Sequence, residues 1–140
     1  MYGLLLRQMY RINVTGAENV LRKAGTTLVQ WAVLRSIDDH PGASGADLAA
    51  AAFVTPQALG QILGRLVDRG LVERRPGRGR SIEHYLTEAG RAHEAVGAAA
   101  VDAIHRDTLS VLTDEEVGQL IDLLRRLRDG HKDPASDDGT

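Results

Sequence analysis

Between Glu73 and Arg80 four arginines, Arg74, Arg75, Arg78 and Arg80, stand against a single acid, a local charge of +3 in eight residues. Guanidinium groups gathered on so short a segment match phosphate oxygens, which accept their forked N–H donors. They also match the narrow minor groove of DNA, where negative potential is concentrated. A solvated hairpin would carry the same residues without that role. Just upstream, Gln57, Gln61 and Arg65 recur every fourth residue and so share one face of a helix. Glutamine amides pair bidentately with adenine edges in the major groove, and the plainer reading is an exposed helix side. Arg65 suits a phosphate or an ion pair with Asp68. A third set, Tyr10, Asn13, Trp31 and Arg35, places aromatic rings beside a cation near the junction of the first two helical segments. Such a set suits a small-ligand pocket, while Trp31 equally suits plain core.

Catalytic chemistry finds no comparable set. Gly77-Arg78-Gly79-Arg80 lacks the lysine and the following helix of a phosphate loop, and no serine sits in a nucleophile elbow. His40, His84, His93, His105 and His131 show no spacing of three or four, and the chain has no cysteine to support a zinc site, a disulfide or a thiol switch. Asp38-Asp39-His40 is most simply a solvated turn. The expectation is a protein that binds rather than catalyses, with no metal and no cofactor.

Composition agrees. The chain has 140 residues, 43% hydrophobic and 26% charged, which is one soluble domain's worth of polypeptide. A net charge of −2 gives no hint of a polyanionic partner, so the arginine clustering carries that signal alone. Apolar runs fall well short of the roughly 20 residues that span a membrane. Leu4-Leu5-Leu6 is followed at once by Arg7, Gln8 and Arg11, unlike a signal peptide. A cytoplasmic protein is expected.

The elements that must position these residues are mainly helical. Leu5, Leu6, Met9, Ile12, Val20 and Leu21 follow helical spacing from about Tyr2 to Ala24, weakened at Thr15 and Gly16, with Gly25 as the stop. Thr26 or Thr27 caps a second helix carrying Leu28, Trp31, Leu34 and Ile37, ended by Pro41-Gly42. Ser44 caps a short alanine-rich helix from Gly45 to about Ala52. Phe53-Val54 breaks the pattern. Thr55-Pro56 restarts it, proline standing where its missing N–H is no loss. Leu59, Ile62, Leu63, Leu66 and Val67 then make one apolar face, with Gln57, Gly60, Gln61, Gly64, Arg65 and Asp68 opposite. Two short helices joined by about three residues form a helix-turn-helix.

Leu71 to Arg75 reads as a strand, Pro76 to Gly79 as a turn and Arg80 to Leu86 as the return strand. In that strand Ile82, His84 and Leu86 alternate with polar neighbours, as in a half-buried strand. The hairpin is a basic-tipped wing. Thr87 caps a long helix from Glu88 towards Asp107. Thr113 opens the last helix, with Glu116 completing a capping box and Val117, Leu120, Ile121, Leu124 and Leu127 as its apolar stripe. The fold class is thus mainly α with a small β-hairpin wing, a winged helix-turn-helix embedded in an all-helical dimerisation region. Its parts are residues 1–26 (N-terminal helix of the dimerisation region), 27–90 (DNA-binding lobe), 91–128 (C-terminal dimerisation helices) and 129–140 (acidic, disordered tail).

Trp31-Ala32-Val33-Leu34-Arg35, Ala46-Asp47-Leu48-Ala49, Val54-Thr55-Pro56-Gln57, Gly70-Leu71-Val72-Glu73-Arg74 and Leu86-Thr87-Glu88-Ala89-Gly90 follow one another as landmarks do in MarR-type transcriptional regulators. The resemblance covers roughly residues 2 to 130. It implies an obligate homodimer with interlocked first and last helices. It implies repression, less often activation, relieved by a small organic molecule held between dimer region and DNA-binding lobe. An aromatic carboxylate or phenol would suit the set Tyr10, Asn13, Trp31 and Arg35. The recognition helix falls on Thr55 to Asp68 and the wing tip on Pro76 to Arg80, so the DNA-facing residues are Ser44, Thr55, Pro56, Gln57, Gln61, Arg65, Arg74, Arg78, Gly79 and Arg80. The partner is double-stranded DNA with a pseudo-palindromic site.

Two departures bear on this. The family's wing carries Asp-x-Arg, and here Arg78 replaces the aspartate while Arg80 is kept. Gly60 and Gln61 stand where relatives carry a hydroxyl and an arginine, and Gly64 adds a second glycine. An arginine-poor recognition helix implies less base readout and more dependence on wing and phosphate contacts, hence steep salt dependence. The rival readings are a winged helix used for protein contact and a ligand-binding protein without DNA activity.

Overall fold

Helix starts in this chain are written in hydroxyl side chains. Thr27, Ser44, Thr55, Thr87 and Thr113 each accept the backbone N–H three residues on, at 3.0 to 3.2 Å, satisfying donors that a helix's first turn leaves free. In the computed structural model, which describes residues 1–131, they set the order α1 (Tyr2–Lys23), α2 (Leu28–Asp39), α3 (Gly45–Ala52), α4 (Pro56–Asp68), β1 (Val72–Pro76), β2 (Ile82–Leu86), α5 (Glu88–Leu109) and α6 (Asp114–Gly130).

Three helices end alike. After α1, α3 and α4 two successive N–H groups fold back onto the last-turn carbonyls: Gly25 to Arg22 and Thr26 to Leu21, Phe53 to Ala50 and Val54 to Ala49, Gly70 to Val67 and Leu71 to Leu66. This closure requires a left-handed residue. Gly25 (φ 84°) and Gly70 (φ 73°) supply it without strain, but after α3 the position is taken by Phe53 at φ 55°, a residue 96% exposed.

The chain divides into two compact units, Met1–Ile104 and the part from His105 onward. In the first, Val33, Leu34 and Ile37 of α2, Leu48 and Ala49 of α3, Leu59, Leu63 and Leu66 of α4, and Leu71, Val72 and Leu86 of the hairpin form one buried core. It fixes the helix-turn-helix and the wing base as one body. Ala17 and Leu21 of α1 and Val101 of α5 form a second cluster, with Trp31 packed against it. α1 runs unbroken through Thr15 and Gly16, where weakness was expected. A Cβ on Gly16 would lie 2.9 Å from Ile104 Cγ2, so the glycine admits α5.

The wing is antiparallel, in register from Val72↔Leu86 to Pro76↔Ile82. Its base is stitched to the α2–α3 turn: Gly42 N donates to His84 O (2.8 Å), His84 N to Ala43 O (3.2 Å), and His84 Nδ1 lies 2.9 Å from the same carbonyl. The strands start later than their composition suggests. β1 begins at Val72, and Arg80 and Ser81 belong to the tip, not to β2. Ile82 is 49% exposed, because only His84 and Leu86 lie over the core.

In the second unit, α6 buries no residue. Leu120, Ile121, Leu123, Leu124 and Leu127 are 37% to 55% exposed, and on α1 Leu4, Leu5, Leu6, Met9 and Ile12 are 42% to 53% exposed. Asp129 and Gly130, expected in the acidic tail, close α6. The remainder of that expected tail lies outside the described residues.

Candidate nucleic-acid interface

On α4 the buried residues Leu59, Leu63 and Leu66 leave Gln57, Gln61 and Arg65 exposed together on the opposite side. Gly60 and Gly64 lie between them, and a Cβ at either would meet nothing within 4 Å. Thr55 and Ser44 sit at the starts of α4 and α3, each oxygen accepting a backbone N–H. Among the described residues neither hydroxyl donates a hydrogen bond of its own. Pro56 is exposed beside Thr55.

The arginine cluster separates into two kinds. Arg75 is held: Nε lies 3.2 Å from Glu73 Oε1, Nη2 3.3 Å from Glu73 Oε2, and the guanidinium carbon 4.2 Å from the centroid of the Tyr85 ring. That contact lowers the Glu73 carboxyl below its ordinary pKa and raises Arg75. Arg74, Arg78 and Arg80 are exposed, and among the described residues none is ion-paired, nor is Arg65. Arg78 and Arg80 flank Gly79, whose φ of 64° makes the tip turn. The basic surface offered outward is therefore Arg74, Arg78 and Arg80 on the wing and Arg65 on α4.

Trp31 and Arg35, one turn apart on α2, both reach Glu94 of α5. The indole Nε1 donates to Glu94 O at 3.2 Å and Arg35 Nη1 to Glu94 Oε1 at 3.3 Å, with Arg35 Nε 3.5 Å from Asp39 Oδ2. Glu94 is 6% exposed, so this is a buried carboxylate held against a half-exposed guanidinium. The hydrogen bond to Glu94 raises the pKa of Arg35 above its ordinary value. Tyr10, 71% exposed on α1, and the half-buried Asn13 share no hydrogen bond with this pair. Nearby on α5, His93 Nε2 is buried without a hydrogen-bond partner, and burial followed by the charge of Arg69 lowers its pKa. Spacing along the chain does not point to Glu94, Ser81 or Tyr85. The only sequence sign of Glu94's burial is its place between Gly90 and Gly97 on one α5 face.

Among the described residues no His, Asp and Glu side chains gather to hold a metal ion, and no helix is long and apolar enough to cross a membrane. A helix-turn-helix followed at once by a basic-tipped hairpin is a winged helix-turn-helix. A MarR family model matches residues 24–81. The HTH-type transcriptional repressor Rv2887 of Mycobacterium tuberculosis is 35% identical over 127 residues, spanning 89% of this chain and 91% of that protein. The crystal structure of Rv2887 with p-aminosalicylic acid aligns at a TM-score of 0.77 and 34% identity, covering 89% of this chain and 96% of that one. Its complex with DNA aligns at 0.78 and 32%, covering 89% and 95%. The chain belongs to the MarR family.

Proposed function

We propose that this protein is a homodimeric transcriptional regulator, a repressor that leaves its operator when a small organic ligand binds. One observation carries the reading: a lobe built on one buried core presents the polar face of α4 beside a wing whose Arg74, Arg78 and Arg80 have no ion-pair partner among the described residues. The Rv2887 complexes with DNA and with p-aminosalicylic acid support it.

In this reading α4 enters the major groove, with Gln57 and Gln61 at base edges and Arg65 on a phosphate. Ser44, Thr55 and Pro56 lie along the backbone. Arg78, Gly79 and Arg80 reach the adjacent minor groove, with Arg74 behind them on phosphate. A second copy covers the apolar faces of α1 and α6, and the two lobes take half-sites about one helical turn apart on a pseudo-palindromic operator. An aromatic carboxylate reaching Arg35, with Tyr10, Asn13 and Trp31 near it, would compete with Glu94 for the guanidinium and so act on the seam between α2 and α5. The protein works in the cytoplasm by binding, without catalysis or cofactor.

The test is a mobility-shift titration on the DNA upstream of its own gene over a range of salt, with Arg78→Ala/Arg80→Ala alongside. Wild type should tighten steeply as salt falls. The double variant should lose about 10-fold or more near physiological salt and flatten the log–log salt slope by up to about 4, because a dimer loses four arginines. A folded dimer that binds neither that DNA nor a random-sequence pool at low salt would overturn the reading in favour of a protein partner.

A further inference from the structure

We infer that Ser81 positions the wing arginines, its hydroxyl fixing the tip turn that carries Arg78 and Arg80. The inference rests on the wing binding DNA as proposed above. The last paired residues of the hairpin are Pro76 and Ile82, which leaves residues 77–81 as the tip. Within it a single oxygen, Arg78 O, takes two hydrogen bonds from Ser81: one from the backbone N–H (3.2 Å) and one from the side-chain hydroxyl (2.7 Å). Gly77 N donates to Ser81 O at 2.9 Å, closing the loop from the other side. Gly79 has positive φ and Arg80 does not, the pattern of a mirror-image hairpin turn with glycine at its first central position.

The two arginines occupy the first and third positions of this turn. A carboxylate at the first position would brace such a turn by accepting its N–H groups. Arg78 offers none, and the brace runs the opposite way, from the fourth residue back to the first. Gly77 makes room for it, since a Cβ there would lie 2.6 Å from Ser81 Oγ. A hydroxyl has one proton, and that of Ser81 is committed to Arg78 O. Ser81 therefore acts through the arginines and not on a phosphate itself. Without the bond, docking would have to order the tip and both long side chains at once, which weakens binding without removing a charge contact.

The experiment measures affinity for the upstream DNA across a salt series for wild type, Ser81→Ala, Ser81→Thr and Arg78→Ala/Arg80→Ala, with thermal unfolding of each. Ser81→Ala should bind roughly 2- to 10-fold more weakly, with an unchanged salt slope and a melting temperature lowered by no more than a few degrees. Ser81→Thr, which keeps the hydroxyl, should return to within about twofold of wild type. Wild-type affinity in Ser81→Ala, a flattened salt slope in that variant, or failure of threonine to rescue would each overturn the inference. If the arginine variant binds normally, the wing reading itself falls; if it loses binding while Ser81→Ala does not, only the role of Ser81 falls.

Discussion

Glycine appears on two helices of the same compact unit, Met1–Ile104, for opposite reasons. On α5, Gly90 and Gly97 are sites of contact. A Cβ on Gly90 would run into the Leu71 carbonyl, and one on Gly97 into the Trp31 indole, with Nε1 only 2.7 Å away. Between them Glu94 takes the bonds from Trp31 and Arg35, so α5 lies flush against α2 and the wing base along one stripe. On α4, Gly60 and Gly64 touch nothing. They lower helix propensity while relieving no crowding within the protein. The seam is shaped by what it packs against; at Gly60 and Gly64 the outward face of α4 has no such neighbour among the described residues.

The contrast can be broken most severely at the seam. Gly90→Ala should cost about 3 kcal/mol or more, because backbone and not a flexible side chain stands in the way; chemical denaturation reads it, and a stability equal to wild type would mean the seam is looser than described. Next, Gly60→Ala combined with Gly64→Ala should raise stability by about 2 kcal/mol, roughly 1 per site. If that stabilised protein also loses affinity for DNA, the bare face is a contact surface; full affinity would make the glycines incidental. Arg35→Ala should cost about 1–2 kcal/mol, since it strands a buried carboxylate while losing a half-exposed, solvent-screened cation, and Glu94→Gln on the same background should recover part of the loss.

The smallest effect is a pH dependence at His93. Its pKa is lowered in the fold by burial, so the unfolded chain takes up the proton first as pH falls. The stability it contributes is complete above the ordinary histidine pKa of 6.5 and declines as pH drops below it. The fall in melting temperature between about pH 7.5 and about pH 5.5 should be smaller in His93→Gln than in wild type. An equal fall in both would remove His93 as the cause.

What could be read from the sequence was local. Caps involve residues three apart, so Ser44, Thr55 and the Thr113–Glu116 pair announce their helices, and the apolar face of α4 shows in its spacing. Phe53 hid a left-handed cap because the usual glycine is missing there. Arg80 and Ser81 continue the alternation of β2 in sequence, but in space Ser81 bends back to Arg78 and the strand begins at Ile82. The partners of Trp31 and Arg35 lay beyond reach: Glu94 is 59 residues from Arg35, and only packing brings them together. Tyr10 and Asn13 match that pair in chemical type, yet neither takes part in its hydrogen bonds. The stripes of α1 and α6 are legible as apolar from their spacing, and among the described residues nothing buries them.

Trp31 is the chain's one tryptophan, and it lies where α2 meets α5, its N–H committed to Glu94 O. Its fluorescence is therefore a built-in gauge of a single joint. A ligand or variant that parts α2 from α5 should shift the emission colour of the unlabelled protein, whereas a disturbance confined to the wing should leave the spectrum dark to it. The same molecule thus offers two separate channels, light for the joint and salt-dependent affinity for the tip, by which a signal could be followed from one to the other.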